Sequence, residues 1–457
     1  MKILPIKILI LIVFPSLLFA QSIETSPYSA FGLGDSKYLG PAESVSMGGL
    51  NSVFWDNVHV NPTNPASYSF LSLTTYSLGT QGRYTQLETS TDSESNSYVG
   101  LNHLLIGIPM GKWGAAMGFM PTSSTGYSLN STDTQHDSEL ELFDENGEMI
   151  YDGIYDNIYS FNGFGGVNRA FLGLSYSPFK GFSMGVNANY QFGNISRSVR
   201  MFTPAVLADL DGDVNTPDDV LFEGSQYGTK EEEKLRIKDW QFDMGLLYTG
   251  KLNEKLQYTL GATYGLGNES ELEYTKYLYT FKFVSNGVEQ PIDTLHYVSG
   301  TSKLDDISVP SRGSAGISIG NYSKWMIGAN YEFKDPIDLT FGTEGYKVSF
   351  KQSKKYSVGG YFTPKYNSLM SYWERITYRA GFKYEEMGVS INGTDIVDYS
   401  VNFGFGLPVG NGASNISIGG AFGTRGTTDN DLIKENYFNF VVAFSLSDKW
   451  FKKVKYY

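Results

Sequence analysis

The sequence predicts an all-β protein, a 14-stranded antiparallel transmembrane β-barrel. Three observations predict this fold. Segments of about ten residues repeatedly alternate large apolar side chains with small or polar ones, as barrel strands do. The connections between these segments alternate between long and short. After residue 20 no window of about 18 apolar residues offers a transmembrane helix, so the chain can enter a membrane only as a closed barrel.

Composition agrees with many short strands and excludes several classes of function. The 457 residues include 51 Gly, 33 Tyr and 30 Phe but no Cys. Without cysteine the chain has no disulfide framework, no thiolate chemistry and no lipid-modified N-terminal cysteine. The net charge of -13 argues against a nucleic-acid partner, because phosphate binding requires a basic surface.

Residues 1–20 have the pattern of a signal peptide. Lys2 and Lys7 precede an apolar core, and Leu18-Phe19-Ala20 forms a small-residue exit. The alternative is an N-terminal membrane anchor, which the short apolar run broken at Pro15-Ser16 disfavours. We therefore predict export, with the cell outer membrane as the destination.

The next segment, residues 21–70, is rich in Gly and Pro and does not alternate. Such density of Gly and Pro is typical of turns and short helical turns. The segment has no core of its own and needs a surface to pack against. We predict that a barrel of residues 71–448 follows it, and that residues 449–457 form a short periplasmic tail.

The last predicted strand shows the alternation most clearly. Between residues 436 and 446 the even positions are Phe438, Phe440, Val442, Phe444 and Leu446, which we expect to face lipid. Similar segments predict about fourteen strands, near 74–86, 98–109, 112–128, 167–178, 181–201, 234–250, 255–283, 298–320, 323–334, 346–364, 374–387, 396–408, 413–424 and 434–447.

The connection lengths favour a membrane barrel over a soluble sandwich. Long connections are predicted at 87–97, 129–166, 202–233 and 388–395, and short ones at 110–111 and 179–180. Outer-membrane barrels have short periplasmic turns and long outer loops, whereas a sandwich has no reason to sort its loops in this way. An even number of strands then places both termini on the periplasmic side.

Two short motifs add a family resemblance. Asn64-Pro65-Ala66 stands shortly before the first strand, and Ser46-Met47-Gly48-Gly49 is a small-residue turn upstream of it. With the strand layout, they make the chain resemble the outer-membrane long-chain fatty-acid transporter family, hydrocarbon and aromatic transport barrels with an N-terminal hatch. The resemblance implies that residues 21–70 form an N-terminal hatch inside the lumen of the barrel. It also implies a channel for small hydrophobic molecules, in contact with outer-membrane lipid, that releases its ligand through a gap in the barrel wall.

Pro121 is the candidate for that gap. It lies inside the third predicted strand, and proline cannot donate a hydrogen bond to the strand ladder. The resemblance implies that the third strand kinks inward and opens the wall towards the bilayer. The alternative is that this strand ends at Phe119 and that Pro121 lies above the membrane.

The outer connections differ from what a fatty-acid carrier needs. Residues 133–156 contain nine Asp or Glu and no Lys or Arg, and this charge would repel a carboxylate ligand. Some proteins that resemble this family are partner subunits of outer-membrane machines, and this resemblance implies the alternative function: a non-transporting partner or structural subunit of an outer-membrane secretion or assembly complex, with other outer-membrane proteins as partners. A polar-solute porin is a third interpretation, which the hatch disfavours.

Two groups of charged residues are candidate sites. Asp209, Asp211 and Asp213 offer carboxylates at every second position, an arrangement that suits Ca²⁺; the alternative is a solvated acidic loop, because the EF-hand pattern is incomplete.

The second group, Arg375, Arg379 and Lys383, occupies one face of the eleventh predicted strand. This basic row is expected to face the lumen, where it anchors hatch acids such as Asp35 and Glu43 or lines a path for an anion.

Catalysis has little support. None of the four histidines has metal-ligand spacing, and no nucleophile-elbow motif or phosphate loop is present. His103 lies in the second predicted strand, but spacing assigns it no Ser or Asp partner. We expect no enzymatic activity, and no cofactor other than the candidate Ca²⁺.

Overall fold

The barrel is formed by one antiparallel sheet that closes on itself. The computed structural model describes residues 26–37, 40–143, 147, 149–204, 206–208, 219–222, 227–269, 272–284, 288–300, 308–336, 347–410 and 414–449. The strands are β1 Thr74–Glu88, β2 Ser93–Met110, β3 Trp113–Phe143, β4 Met149–Tyr176, β5 Phe182–Phe202, β6 Tyr227–Lys251, β7 Gln257–Gly265 continuing as Leu272–Val284, β8 Val288–Gly300 continuing as Arg312–Asn321, β9 Trp325–Lys334, β10 Ser353–Phe362, β11 Thr377–Ile391, β12 Thr394–Val409, β13 Ser414–Arg425 and β14 Lys434–Asp448.

The last strand closes the barrel against the first. Thr74 lies opposite Asp448 and Glu88 opposite Lys434, so β14 pairs with β1 along its whole length. On its other side β14 pairs with β13. The predicted 14-stranded antiparallel barrel is confirmed. The end at which the chain enters β1 and leaves β14 is called the periplasmic end below.

The strands present apolar side chains outward. In β14, Phe444 and Leu446 are 50% and 62% exposed, whereas Tyr437, Val441 and Ala443 are buried on the inner face. Because successive strand residues point to opposite faces, the outward positions form the lipid-facing surface. The predicted lipid-facing parity of the last strand is confirmed.

The barrel is much taller on one side. β3 and β4 have 31 and 28 residues, whereas β9 and β10 have 10 each. About ten residues are enough for a strand to cross the bilayer, so β3 to β8 rise well above the membrane. We call their outer part the crown. The connection predicted at 129–166 is therefore wrong as a loop, since most of it continues β3 and β4.

Two other predicted outer loops are also shorter than expected. β11 and β12 are joined by the two-residue turn Asn392-Gly393, in which both residues have positive φ. This is the geometry of a tight hairpin turn, which Asn-Gly favours. β1 and β2 are joined by residues 89–92 only. The predicted connections at 388–395 and 87–97 counted paired strand residues as loop.

Helical structure is confined to short turns. The elements are the α-helical turn α1 Ala42–Val45 and the 3₁₀ turns Pro27–Ala30, Pro65–Phe70, Trp373–Arg375 and Asp429–Asp431; the short strands are Asp35–Ser36, Val206–Ala208, Asp219–Phe222, Asn268–Glu269, Ser308–Val309 and Val348–Phe350. Across the described ranges, no helix has the length and apolar character required to span a membrane.

Residues 26–37 and 40–72, which we call the inner segment, pack against the inner face of the barrel. Its residues Met47, Leu50 and Val53 are fully buried and form a cluster with Phe54 and Met326. Glycines on the inner face allow this approach: a Cβ at Gly261 would collide with the Ser52 carbonyl oxygen, and Cβ atoms at Gly359 and Gly381 would collide with the main chain of Met47. Small residues in the wall thus leave room for the inner segment.

Candidate functional site: the filled lumen

A cluster of buried charges joins the inner segment to five strands. We call Asp35, Arg83, Lys383, Asp398, Arg425 and Glu435 the lumen cluster. Arg425 is at its centre, with Nη1 2.8 Å from Asp35 Oδ2 and Nη2 3.1 Å from Asp398 Oδ2. Arg83 Nη1 lies 3.1 Å from the same Asp35 oxygen. Buried charges are tolerated only when they are paired in this way.

The remaining members extend the lumen cluster around the wall. Lys383 Nζ lies 3.0 Å from Asp398 Oδ1, to which the Tyr437 hydroxyl also donates at 2.6 Å. The Ser26 hydroxyl donates to Glu435 Oε1 at 2.5 Å. The cluster therefore connects five strands, β1, β11, β12, β13 and β14, with Ser26 and Asp35 of the inner segment.

The predicted basic row is only partly formed. Arg379 and Lys383 are buried on the inner face of β11. Arg375 is not part of the row; it lies before β11 in a 3₁₀ turn, with its guanidinium 5.1 Å from the centre of the Tyr372 ring. Lys383 pairs with Asp398 of the neighbouring strand and with Glu385 at 3.2 Å. Asp35 is held instead by Arg83 and Arg425.

A second charged group lies near the periplasmic end. His59 Nδ1 is 2.9 Å from Asp56 Oδ2, and its Nε2 is 3.2 Å from Glu43 Oε1. The Ser417 hydroxyl donates to the same Glu43 oxygen at 2.5 Å. Burial alone would lower the pKa of His59, but the two carboxylates outweigh burial and the nearby Arg379, and raise this pKa above its ordinary value.

The Asn64-Pro65-Ala66 motif pins the inner segment to the wall. Asn64 Oδ1 accepts a hydrogen bond from the Ala66 amide at 3.1 Å, and its Nδ2 donates to the Ser52 carbonyl at 2.6 Å. Pro65 follows as the first residue of a 3₁₀ turn, a position where its missing N–H is harmless. Pro65 packs against Gly245 and Gly185, so the motif stabilises the junction with β5 and β6.

Strand pairing changes at Pro121. The register between β2 and β3 runs from Met110–Trp113 to Leu104–Phe119 and ends there. β3 continues through Pro121 instead of ending at Phe119, and Ser123 and Ser124 pair with Ser36 and Asp35 of the inner segment. The outer halves of β2 and β3 are therefore not paired with each other in the described register.

Two cavities flank the inner segment. One, of about 230 Å³, has several charged residues in its lining, including Lys37, Arg83, Lys334, Lys383 and Arg425. The other, of about 270 Å³, lies at the foot of the crown; its lining includes Phe31, Tyr127, Leu129, Phe161, Val199 and Leu432. The charged lumen cluster and the outer apolar cavity thus occupy different parts of the lumen.

His103 belongs to a buried polar chain. Its Nε2 is 2.9 Å from Ser77 Oγ and its Nδ1 is 2.6 Å from Asn102 Oδ1. A register shift opposite Gly79 and Thr80 turns both Asn102 and His103 inward. The order Ser–His–Asn matches a nucleophilic triad, but the His103 side chain is 0% exposed. With no surface on His103 for a substrate, we interpret the chain as satisfying buried polar groups.

Several predicted features lie outside the described residues. They are the signal peptide 1–20, the calcium loop of Asp209, Asp211 and Asp213, and the tail from residue 450 onward. Within the described part of the chain, no three His, Asp or Glu side chains are arranged to hold a metal ion. The calcium site stays a prediction.

Sequence reasoning missed Arg83, Asp398 and Arg425. The alternation of side chains between the two faces of each strand was the available signal. Tyr84, Tyr399 and Phe422 face outward, so the inner positions of β1, β12 and β13 follow from them. This alternation places these charges in the lumen but does not give their partners. Asp35 and Arg425 are 390 positions apart in the chain.

Comparison with known families identifies the chain. The family model described as BamG matches residues 2–457. The chain belongs to the BamG family. This family is not the fatty-acid transporter family, so the resemblance predicted from the sequence applies to the fold and not to the family. No curated protein matches this BamG-family chain.

Solved structures share the barrel of this BamG-family protein. The CymD monoaromatic hydrocarbon channel has a TM-score of 0.52 and 14% identity, over 92% of this chain and 99% of CymD. The toluene transporter TodX of P. putida has a TM-score of 0.52 and 17% identity, over 90% of this chain and 100% of TodX. A Pseudomonas aeruginosa FadL homologue has a TM-score of 0.51 and 12% identity, over 90% and 98%. At these identities the likeness shows the fold alone.

Proposed function

We propose that this BamG-family barrel is a non-transporting partner subunit of an outer-membrane secretion or assembly complex. The observation that carries the proposal is the filled lumen. The lumen cluster places paired, buried charges between the inner segment and the wall. Small hydrophobic molecules have no affinity for a path through the lumen that is lined by such charges. Membership of the BamG family rather than the transporter family also favours partners among outer-membrane proteins.

The crown is the surface best suited to a partner. Its β3–β4 hairpin is paired out to Phe143 and Met149, so it is a built element rather than a loose loop. Residues 133–156 hold nine acidic residues and no Lys or Arg. A long acidic hairpin steers and orients a partner that carries a basic surface.

The test is co-purification from detergent-solubilised outer membranes, followed by mass spectrometry of both the bound protein and the bound lipid. We expect a stoichiometric outer-membrane protein. The double variant Asp137→Lys/Glu139→Lys should reduce its yield at least several-fold. The matched control Asp92→Lys/Glu94→Lys changes the same charge at the same spacing where β1 connects to β2, outside the crown, and should leave the yield unchanged. Bound lipid without bound protein would contradict the proposal.

A second candidate function is a channel for small hydrophobic molecules. Two observations favour it: the apolar cavity below the crown, and the loss of β2–β3 pairing above Leu104 and Phe119. In this alternative Pro121 marks a lateral opening to the bilayer. The structural relatives support it by their descriptions, a monoaromatic hydrocarbon channel and a toluene transporter.

Vesicle uptake separates the two functions. If the barrel is a channel, vesicles that contain it should take up toluene faster than empty vesicles. Leu129→Trp, which fills the apolar cavity, should then slow uptake, whereas Leu104→Trp on the lipid-facing surface should not. If the barrel is a partner subunit, all three proteins should give the rate of empty vesicles.

A further inference from the structure

One connection at the periplasmic end differs from the others. Residues 363–376 join β10 to β11, whereas residues 111–112 join β2 to β3 and residues 322–324 join β8 to β9. The longer connection is ordered by its own hydrogen bonds. The Lys365 amide donates to the Glu374 carbonyl at 2.7 Å, and the Ser368 amide donates to the Lys365 carbonyl at 3.1 Å.

The tip of this connection is apolar and makes almost no contact with the rest of the protein. Leu369 and Met370 are 100% and 98% exposed, and Trp373 and Tyr366 are 71% and 62% exposed. Exposed groups of large apolar side chains mark sites of protein or membrane contact. The tip is therefore expected to contact a membrane or another protein.

The position of the connection indicates that the tip contacts the membrane. Tyr378 faces outward, packs edge-on against the outward Phe405, and donates its hydroxyl to the Trp373 carbonyl at 3.3 Å. On the adjacent strand, Phe362 faces outward opposite Trp325. The connection is thus held on the lipid-facing side and continues a belt of outward aromatic residues.

We propose that residues 363–376 insert Leu369, Met370 and Trp373 into the interfacial region of the periplasmic leaflet. Trp and Tyr favour this region because their rings are apolar and their polar atoms reach water. Lys365 and Arg375 flank the tip and meet anionic lipid headgroups there. Because the other described periplasmic turns are short, the insertion fixes the depth of the barrel on the β10–β12 side.

The absence of native cysteine makes a direct test possible. Leu369→Cys is labelled with an environment-sensitive fluorophore in vesicles of phosphatidylethanolamine and phosphatidylglycerol. Phe444→Cys on the lipid-facing surface and Glu254→Cys in the exposed turn 252–256 are the matched controls. We expect lipids carrying a nitroxide near the headgroup to reduce the fluorescence at position 369 several-fold, as at position 444, while iodide has little effect.

Two results would overturn the proposal. Fluorescence at position 369 that responds to iodide and not to nitroxide lipid, like position 254, would show that the tip lies in water. Protection from iodide that appears only after another outer-membrane protein is added would identify a protein as the occupant. Neither result tests whether the crown binds a partner. The membrane-insertion proposal can therefore fail while the proposed function stands, and the reverse.

Discussion

The outer and inner faces of the strands follow different rules, and β12 to β14 show the contrast. Outward residues such as Val401, Phe422 and Phe444 are at least half exposed to lipid, and lipid treats any large apolar side chain alike. Inward residues such as Asp398 and Arg425 each depend on particular atoms of other strands. The outer face is therefore specified by composition, whereas the inner face is specified by pairing.

This contrast predicts the largest effect for Arg425→Met. Its removal leaves Asp35 and Asp398 buried without their shared cation, and breaking such a buried pair costs about 3–5 kcal/mol. The control Arg236→Met removes an exposed arginine that lies 3.2 Å from Glu273 and should cost about 0–1 kcal/mol. Urea unfolding in lipid vesicles measures both free energies. Equal small losses would mean that the lumen cluster is solvated.

The outer face is tested by adding a charge. Val442→Arg should lower the free energy of unfolding by about 2–4 kcal/mol, because it places a cation near the middle of the bilayer. Asn439→Arg lies on the same strand but borders the charged cavity and should cost clearly less. Similar losses at the two positions in a membrane-folding assay would count against the assignment of the two faces.

The different rules explain which features the sequence could predict. The alternation of apolar and polar residues along a strand shows which face is apolar. The barrel and the lipid-facing positions of β14 could therefore be predicted from it. The crown was mistaken for loops because polar hairpins above the membrane lack the apolar face that alternation requires. Asn392-Gly393 is a turn signal that could have shortened the predicted connection between β11 and β12.

The lumen cluster could not have been predicted in the same way. Its contacts join residues far apart in the chain, such as Asp35 with Arg425 and Ser26 with Glu435. Which charges meet depends on the register of every strand between them, and a shift of one residue reverses the facing of a strand. The basic row was assigned to the acids of the inner segment for this reason. Arg379 does interact with Glu43, but Lys383 pairs within the wall.

The third prediction concerns the contact between the inner segment and the wall. Gly261→Ala puts a Cβ against the Ser52 carbonyl oxygen, where main chain meets main chain. Overpacking of this kind costs about 1–3 kcal/mol. At Gly100 the added Cβ meets only the edge of the Tyr98 ring, at 3.1 Å, and no main-chain atom, so Gly100→Ala should cost clearly less. Limited proteolysis of the inner segment, together with unfolding, checks the comparison; equal protection in the two variants would contradict it.

The smallest effect we expect depends on pH, at His59. Glu43 and Asp56 raise the pKa of His59 against the effect of burial. The folded protein therefore binds a proton at His59 more tightly than the unfolded chain does. Protonated His59 therefore stabilises the protein fully below about pH 6.5, the ordinary pKa of histidine, and the contribution is lost as pH rises through the raised folded-state value. The cost of His59→Gln should be largest near about pH 5 and shrink towards about pH 9.

Unfolding of both proteins across this range measures the difference. His136→Gln, in the crown, is the control; its side chain is 53% exposed, so its pair with Glu141 should contribute little at any pH. A cost of His59→Gln that does not change with pH would mean that the neutral ring, through packing alone, is what the inner segment requires. A cost that grows with pH would mean that the neutral imidazole of His59 is the stabilising form, which would reverse the assigned direction of the shift in its pKa.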